Sequence, residues 1–232
     1  MEYEKLNRRQ IARLVAQDIP DGAYVNLGIG IPTLVSAFLP ADRDVILHTE
    51  NGIVGMGPGD PEAPLDLDLI NASKEAVTLL PGASITDHVV SFAMMRGGHL
   101  DLTVLGAFQV SARGDLANWD TGAPGTIPAV GGAMDLVAGA RQVYITMDHV
   151  TKDGRPKIVR ECTYPLTGAG VVDRIYSDLA IIDVLTDGMR VIAMVAGLRF
   201  DALQDLTDCP LTLADDWRVL SPEQPSARTS PC

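Results

Sequence analysis

The feature that most constrains the fold is a short apolar strand that runs into a glycine turn and then into a helix. Residues 24–27 are predicted as the strand, residues 28–30 as the turn, and Pro32 suits the first turn of the helix. A second apolar run at residues 45–48 delivers Glu50 at its carboxyl end. Strands that alternate with helices predict an open α/β sheet, which binds ligands at the carboxyl ends of its strands.

The rest of the chain continues this pattern. Asn7 and Gln10 are spaced as a capping box ahead of apolar residues on one helical face. Further strands are predicted at residues 77–80, 102–110, 143–147, 179–184 and 191–195, further helices at 33–38 and 89–95, and a short helix opened by the glycine signal at 130–135. A loop is predicted at 57–68. We expect one domain over residues 1–220 and a disordered polar tail over residues 221–232.

Charge and cysteine content limit the possible ligands. A formal net charge of −12 works against binding to nucleic acid or anionic membranes. No apolar run with a basic flank opens the chain, so we expect neither a signal peptide nor a membrane span, and a cytoplasmic location. Three scattered cysteines predict no disulfide, and we expect no metal site. Small molecules are the favoured ligands, and an anionic one needs local cations or a partner chain.

The glycine turn alone does not identify a ligand. Gly28 and Gly30 lack the third glycine of a dinucleotide site, because Thr33 stands in its place, and no phosphate-binding lysine follows. A nicotinamide site is therefore rejected. Two interpretations stay open: a tight turn required by packing, or backbone N–H groups that face an anion or a developing oxyanion.

The segment His48-Thr49-Glu50-Asn51-Gly52 is more informative. It places a carboxylate at the end of an apolar strand, immediately before an Asn-Gly turn. Glu50 is either a solvated surface residue or a functional carboxylate, and the local sequence favours neither interpretation.

Six segments together resemble one family. They stand in the order expected of class I CoA-transferase B subunits: VNLGIGIPT (25–33), HTENGIVG (48–55), LINASKE (69–75), SFAMMRGGHLDLTVLGAFQVS (91–111), GDLANWDTGAP (114–124) and VGGAMDLVAGARQV (130–143). The similarity extends over about residues 25–184, with the ENG triplet as its most specific part. One departure is Thr49, where the family usually has serine.

The resemblance assigns roles to individual residues. It implies that Glu50 attacks an acyl-CoA and becomes a glutamyl-CoA thioester, with Asn51 and Gly52 as its motif neighbours. It implies oxyanion donors at Asn26 and at the backbone of Gly131 and Gly132. Lys74 matches a position at the acyl-CoA site, where its charge suits a carboxylate or a phosphate. His48 and His99 are not assigned as general bases, because the central exchanges need no proton transfer.

The resemblance also implies the fold and the partners. We expect an open mixed sheet with flanking helices, a separate A subunit that completes the site, and coenzyme A as a substrate, with no permanently bound cofactor. Succinyl-CoA is the expected donor and 3-oxoadipate the favoured acceptor, on the stretch 118–135; acetoacetate is the alternative acceptor. A non-catalytic acyl-CoA-binding subunit and a sugar-phosphate isomerase-like enzyme are the other interpretations considered.

Overall fold

The computed structural model describes residues 3–57, 66, 68–71, 73–125 and 127–220. Four α-helices lie in this part of the chain: α1 (Arg8–Asp18), α2 (His88–Arg96), α3 (Ala133–Gly139) and α4 (Phe200–Asp205). A 3₁₀ helix covers Pro32–Phe38. The strands are β1 (Tyr24–Leu27), β2 (Ile46–His48), β3 (Ile53–Gly57), β4 (Thr78–Ile85), β5 (Leu102–Gly106), β6 (Gln109–Ser111), β7 (Leu116–Ala117), β8 (Gln142–Met147), β9 (Ile158–Val159), β10 (Arg174–Ser177), β11 (Ala180–Leu185), β12 (Gly188–Val195) and β13 (Leu211–Leu220).

Ten strands form one mixed sheet in the order β13-β12-β11-β10-β8-β5-β1-β2-β3-β4. Its centre, from β10 to β2, is parallel, while β3, β4 and β11 pair antiparallel with their neighbours. The predicted open mixed sheet with flanking helices is therefore confirmed. The centre of the sheet is buried: Val25, Val104, Ile145 and Ile175 have no exposed surface.

The order in which strands are added to the sheet reverses at β1. The chain places β2 on one side of β1 and β5 on the other, so the loops that leave β1 and β5 diverge and open a crevice. Such a switch point, at the carboxyl ends of parallel strands, is where open α/β sheets bind ligands. The ends of β2, β1, β5 and β8 all lie along this edge of the sheet.

The predicted first helix is confirmed, with its capping box. The Asn7 side chain accepts a hydrogen bond from Gln10 N, and the Gln10 side chain accepts one from Asn7 N. Ile11 and Val15 are completely buried against the sheet. The element over Pro32–Phe38 begins at a proline, as predicted, but is a 3₁₀ helix.

The prediction of one strand over residues 102–110 is wrong. The extended chain breaks at Ala107 and Phe108, and β6 leaves the main sheet to join a second one of three strands, in the order β7-β6-β9. Apolar side chains on both sides of the break made the two strands resemble one. The break matters, because it turns Phe108 and the start of β9 towards the cleft described below.

Sequence patterning missed β3, β7, β9, β10, α4 and β13, and underestimated β4. Most of the predicted loop at 57–68, and the whole predicted tail at 221–232, lie outside the described residues. In the part of the chain that is described, no helix has both the length and the apolar character needed to cross a membrane.

Candidate active site

A cleft of about 590 Å³ opens at the carboxyl edge of the sheet. The predicted site residues that line it are Asn26, Gly28, Gly30, Glu50, Gly131 and Gly132. They come from β1 and the loop after it, from the loop after β2, and from the segment that precedes α3, far along the chain. The fold therefore gathers into one cavity six of the residues that the resemblance singles out.

Glu50 is half-buried and its carboxylate lies against the Gly131-Gly132 segment. A methyl group added to the Cα of Gly132 would lie 2.4 Å from Glu50 Oε2, and one added to Gly131 would lie 3.9 Å from Oε1. The carboxylate thus occupies the space that the missing side chain of Gly132 leaves free. Within the described residues, no hydrogen bond uses the N–H of Gly131 or of Gly132.

A series of hydrogen bonds links Asn26, His48 and Ser91 to the backbone of Glu50. Asn26 Nδ2 lies 3.1 Å from His48 Nδ1, His48 Nε2 lies 3.0 Å from Ser91 Oγ, and Ser91 Oγ donates to the Glu50 carbonyl oxygen at 2.9 Å. Asn26, His48 and Ser91 are all buried. Buried polar groups of this kind are costly unless they are paired, so these hydrogen bonds fix one arrangement of the three side chains.

Which atom donates in each of these hydrogen bonds follows from the two ends of the series. The Asn26 amide nitrogen can only donate, so His48 Nδ1 accepts, and the proton of the neutral ring lies on Nε2. Burial lowers the pKa of His48 to about 4, which keeps the ring neutral near pH 7. His48 then donates to Ser91, which in turn donates to Glu50. His48 is therefore a buried, hydrogen-bonded core residue.

Asn26 is bonded to His48 in this structure, and its role as an oxyanion donor stays a prediction. Its amide nitrogen donates both to His48 Nδ1 and, at 3.2 Å, to the His48 carbonyl oxygen. Both N–H groups are therefore used, and in this state Asn26 positions His48. To act as an oxyanion donor, Asn26 would have to give up one of these two bonds.

Ser91→Ala is predicted to lower kcat about 10- to 100-fold with little change in the KM for acyl-CoA. The substitution removes the bond to Glu50 and leaves the Nε2–H of His48 unpaired. A displacement of a reacting group by about 1 Å costs up to about 10²-fold in rate. Ser91→Thr, which keeps a hydroxyl, should restore part of kcat.

Ser36→Ala is the matched control. Ser36 also donates to a main-chain carbonyl oxygen, that of Thr33, but it is not bonded to Asn26, His48 or Ser91. Steady-state kinetics of the three variants decide the matter. A Ser91→Ala enzyme with the wild-type kcat would show that the hydrogen bonds from Asn26 through His48 and Ser91 have no part in positioning Glu50.

The motif residues after Glu50 build a tight turn. Thr49 Oγ1 donates to Asn51 Oδ1 at 2.5 Å and accepts from Ile53 N at 3.2 Å, so the hydroxyl of this unusual threonine is in use. Gly52 has φ 112°, and a side chain there would meet the Thr86 carbonyl oxygen at 2.2 Å. Only glycine fits at this position.

Lys74 does not line the cleft that contains Glu50. It lies on an exposed turn with φ 64°, where its N–H donates to the Asn71 carbonyl oxygen at 2.9 Å. Ser73 and Glu75 beside it line a separate cavity of about 80 Å³, together with His48. In this structure Lys74 therefore stands apart from the other predicted site residues, and its role at the acyl-CoA site stays a prediction.

Sequence reasoning missed several residues that the fold brings to the site. Ser91 was quoted only as part of a matching segment, and its burial on α2 is what reveals its role. Two cations line the cleft, Arg8 and Lys157, and neither belongs to a matched segment. No three His, Cys, Asp or Glu side chains among the described residues are grouped so as to hold a metal ion.

Fold and site together define an open-sheet α/β enzyme whose ligand cleft contains a glutamate backed by glycines. The family model described as coenzyme A transferase matches residues 8–205. This chain belongs to the coenzyme A transferase family, and the resemblance inferred from its sequence is confirmed.

Curated relatives and solved structures agree with this assignment. The chain is 61% identical to the B subunit of the 3-oxoadipate CoA-transferase of Acinetobacter baylyi, over 91% of this chain and 97% of the relative. It is 43% identical to the B subunit of a probable succinyl-CoA:3-ketoacid coenzyme A transferase of Bacillus subtilis, over 89% of this chain and 95% of the relative. The acyl-CoA transferase (YdiF) apoenzyme from Escherichia coli O157:H7 superposes with a TM-score of 0.73 at 21% identity, over 96% of this chain and 44% of that one, which is a likeness of fold.

Proposed function

We propose that this chain is the catalytic B subunit of a two-subunit CoA-transferase that moves coenzyme A from succinyl-CoA to 3-oxoadipate. The observation that carries the proposal is the position of Glu50, half-buried at the carboxyl end of β2 and directed at the glycines before α3. A carboxylate held in a ligand cleft can act as the nucleophile of a covalent exchange between acids.

The proposed reaction has two exchanges on Glu50. One oxygen of the Glu50 carboxylate attacks the thioester carbon of succinyl-CoA, the C–S bond breaks, and an anhydride and CoA thiolate result. The thiolate then attacks the Glu50 carbonyl carbon of the anhydride, the C–O bond breaks, and succinate leaves a glutamyl-CoA thioester behind. The acceptor carboxylate reverses the two steps. Coenzyme A is thus a substrate, and no bound cofactor is needed.

Several features of the cleft support this chemistry. Each exchange passes through a tetrahedral oxyanion, for which the backbone N–H groups of Gly131 and Gly132, unused by any hydrogen bond among the described residues, are the proposed donors. The hydrogen bond from Ser91 fixes the backbone of the nucleophile, so little ordering is left for the transition state. Glycine at residue 132 lets the carboxylate approach these donors closely.

We propose a separate A subunit as the partner, because the relatives with which this chain aligns over nearly their full length are named as B subunits. A non-catalytic acyl-CoA-binding subunit would have no use for a nucleophile held so specifically. A sugar-phosphate isomerase would not account for the match to the coenzyme A transferase family over residues 8–205.

The acceptor preference is tested on the complex of this chain with its A subunit. With succinyl-CoA as donor, we expect a higher kcat/KM for 3-oxoadipate than for acetoacetate, because the more similar relatives carry the 3-oxoadipate name. The chain by itself, freed of any partner as checked by mass spectrometry, should be essentially inactive. An equal or higher kcat/KM for acetoacetate would favour the alternative acceptor, which the more distant relatives support.

A further inference from the structure

Lys157 is a half-buried lysine at the end of the cleft away from Glu50. It stands immediately before β9, which pairs with β6, and its backbone is held on both sides. Val110 N donates to the Lys157 carbonyl oxygen at 3.0 Å, and Lys157 N donates to the His149 carbonyl oxygen at 3.2 Å. The second sheet therefore fixes this lysine against the carboxyl ends of β5 and β8.

The charge of Lys157 is not neutralised by an ion pair anywhere in the described chain. Asp178, which influences it, is bound to Lys5 at 3.0 Å. Asp148 also lines the cleft but is exposed to solvent. Burial lowers the pKa of Lys157, and these two carboxylates raise it. A partly desolvated cation without a direct partner favours an anionic ligand.

The cleft has a charge arrangement that suits a molecule with two ends. Glu50 lies after β2, and Asp148 and Lys157 lie beside the end of β8, with β1 and β5 between them. Three steps between parallel strands of about 4.8 Å each separate the two strand ends by roughly 14 Å. Glu50 and Lys157 both line the cleft, so their side chains bound the space available to a ligand between the two strand ends.

Apolar side chains of Leu27, Leu105 and Ala107 also line the cleft, together with the glycine turn. The Asn26 side chain lines it too, and its amide nitrogen is bonded to His48. Near Lys157, Thr146 also lines the cleft, and its Oγ1 is buried without a hydrogen-bond partner among the described residues. A reactive group at Glu50, a short apolar spacer and an anion at Lys157 together describe an aliphatic dicarboxylic acid.

We propose that Lys157 binds the distal carboxylate of the dicarboxylic substrates, and so selects a succinyl group over an uncharged acyl group. The inference rests on the proposed function, because it requires that acyl transfer occurs at Glu50. Arg8, the other cation of the cleft, is exposed at its rim and is not needed for this contact. Lys157 is a specificity-determining residue and takes no part in bond making.

The test compares succinyl-CoA with butyryl-CoA on the complex of this chain with its A subunit, at one fixed acceptor. Butyryl-CoA has the same number of acyl carbons and ends in a methyl group. For Lys157→Met we expect kcat/KM for succinyl-CoA to fall roughly 10- to 100-fold, the cost of losing a charged hydrogen bond, and that for butyryl-CoA to stay within about twofold. Lys157→Arg should retain most of the preference.

Lys152→Met is the matched control, because Lys152 lies in the same loop, is exposed and does not line the cleft. Product inhibition gives a second readout: in Lys157→Met the inhibition constant of succinate should rise by a similar factor, while that of CoA stays unchanged. Since both donors are measured on one preparation, partial unfolding of the variant lowers both rates equally and leaves their ratio valid.

Equal losses for the two donors, or a raised inhibition constant for CoA, would overturn the proposal and assign Lys157 to the CoA part or to the fold. An unchanged ratio in Lys157→Met would overturn it as well. A wild-type complex that transfers CoA from neither donor would reject the proposed function itself, which is a different result from a working enzyme without selectivity at Lys157.

Discussion

Glu50→Gln is expected to abolish CoA transfer, with kcat at least about 10⁴-fold below the wild type. The substitution keeps the volume of the side chain and removes the anionic oxygen that attacks the thioester. Covalent routes fail as a unit when the nucleophile is lost, and removal of a nucleophile in other enzymes costs up to about 10⁶-fold in kcat. The fold should survive, since in the described part of the chain Glu50 forms no ion pair that the amide would break.

The covalent intermediate gives this prediction a direct measurement. Wild-type complex mixed with succinyl-CoA and no acceptor should gain the mass of CoA on this chain, and borohydride should reduce the adduct at Glu50. The Glu50→Gln variant should show neither the adduct nor turnover. Glu161→Gln is the control, because Glu161 is an exposed glutamate that lies 3.9 Å from the Arg113 guanidinium on the surface.

Two outcomes would contradict the assignment of Glu50. One is turnover near the wild-type rate in Glu50→Gln, after mass spectrometry has excluded deamidation back to glutamate. The other is a CoA label that maps to a different residue. Either result would leave the chain in its family, because the family assignment rests on the match over residues 8–205, and would remove its proposed catalytic role.

Elements with strong local signals were predictable from the sequence. The helix α1 has a capping box and an apolar face, and the strands β1, β2, β8 and β12 are apolar runs that end at turns. β13 carries Asp215, Asp216 and Arg218 on an edge strand exposed to solvent, and β10 has only four residues. Their strand structure comes from pairing with β12 and β11, which no local pattern contains.

The site residues also divide into those that a sequence motif marks and those that only the tertiary fold brings together. Glu50 and the glycines before α3 were predicted because the family motifs mark them individually. Ser91 reaches the Glu50 loop from α2, 43 residues after His48, and Lys157 reaches the cleft through the pairing of β9 with β6. Neither contact can be inferred without the tertiary fold. Conversely, Lys74 was marked by its motif, but in this structure it lies outside the cleft.

The prediction with the second largest effect is that Gly132→Ala lowers kcat about 10²-fold while the unfolding temperature stays close to the wild type. Gly132 has φ −84° and ψ 6°, a conformation open to alanine, so the backbone is not strained. The added methyl group would lie 2.4 Å from Glu50 Oε2 and 3.2 Å from Phe92 Cζ, both at the free ends of side chains that can turn away. The fold therefore adapts easily, but the nucleophile must move.

Gly131→Ala separates this displacement from backbone strain. Gly131 has φ 54°, which costs an alanine about 1 kcal/mol, while the new methyl group would lie at an ordinary 3.9 Å from Glu50 Oε1. We expect Gly131→Ala to lower the unfolding temperature more than Gly132→Ala does, and Gly132→Ala to slow formation of the CoA adduct more than Gly131→Ala does. Thermal unfolding and single-turnover kinetics measure the two effects on the same preparations. If Gly132→Ala formed the adduct at the wild-type rate, the contact between Gly132 and the Glu50 carboxylate would have no bearing on catalysis, because the methyl group cannot be placed without moving that carboxylate.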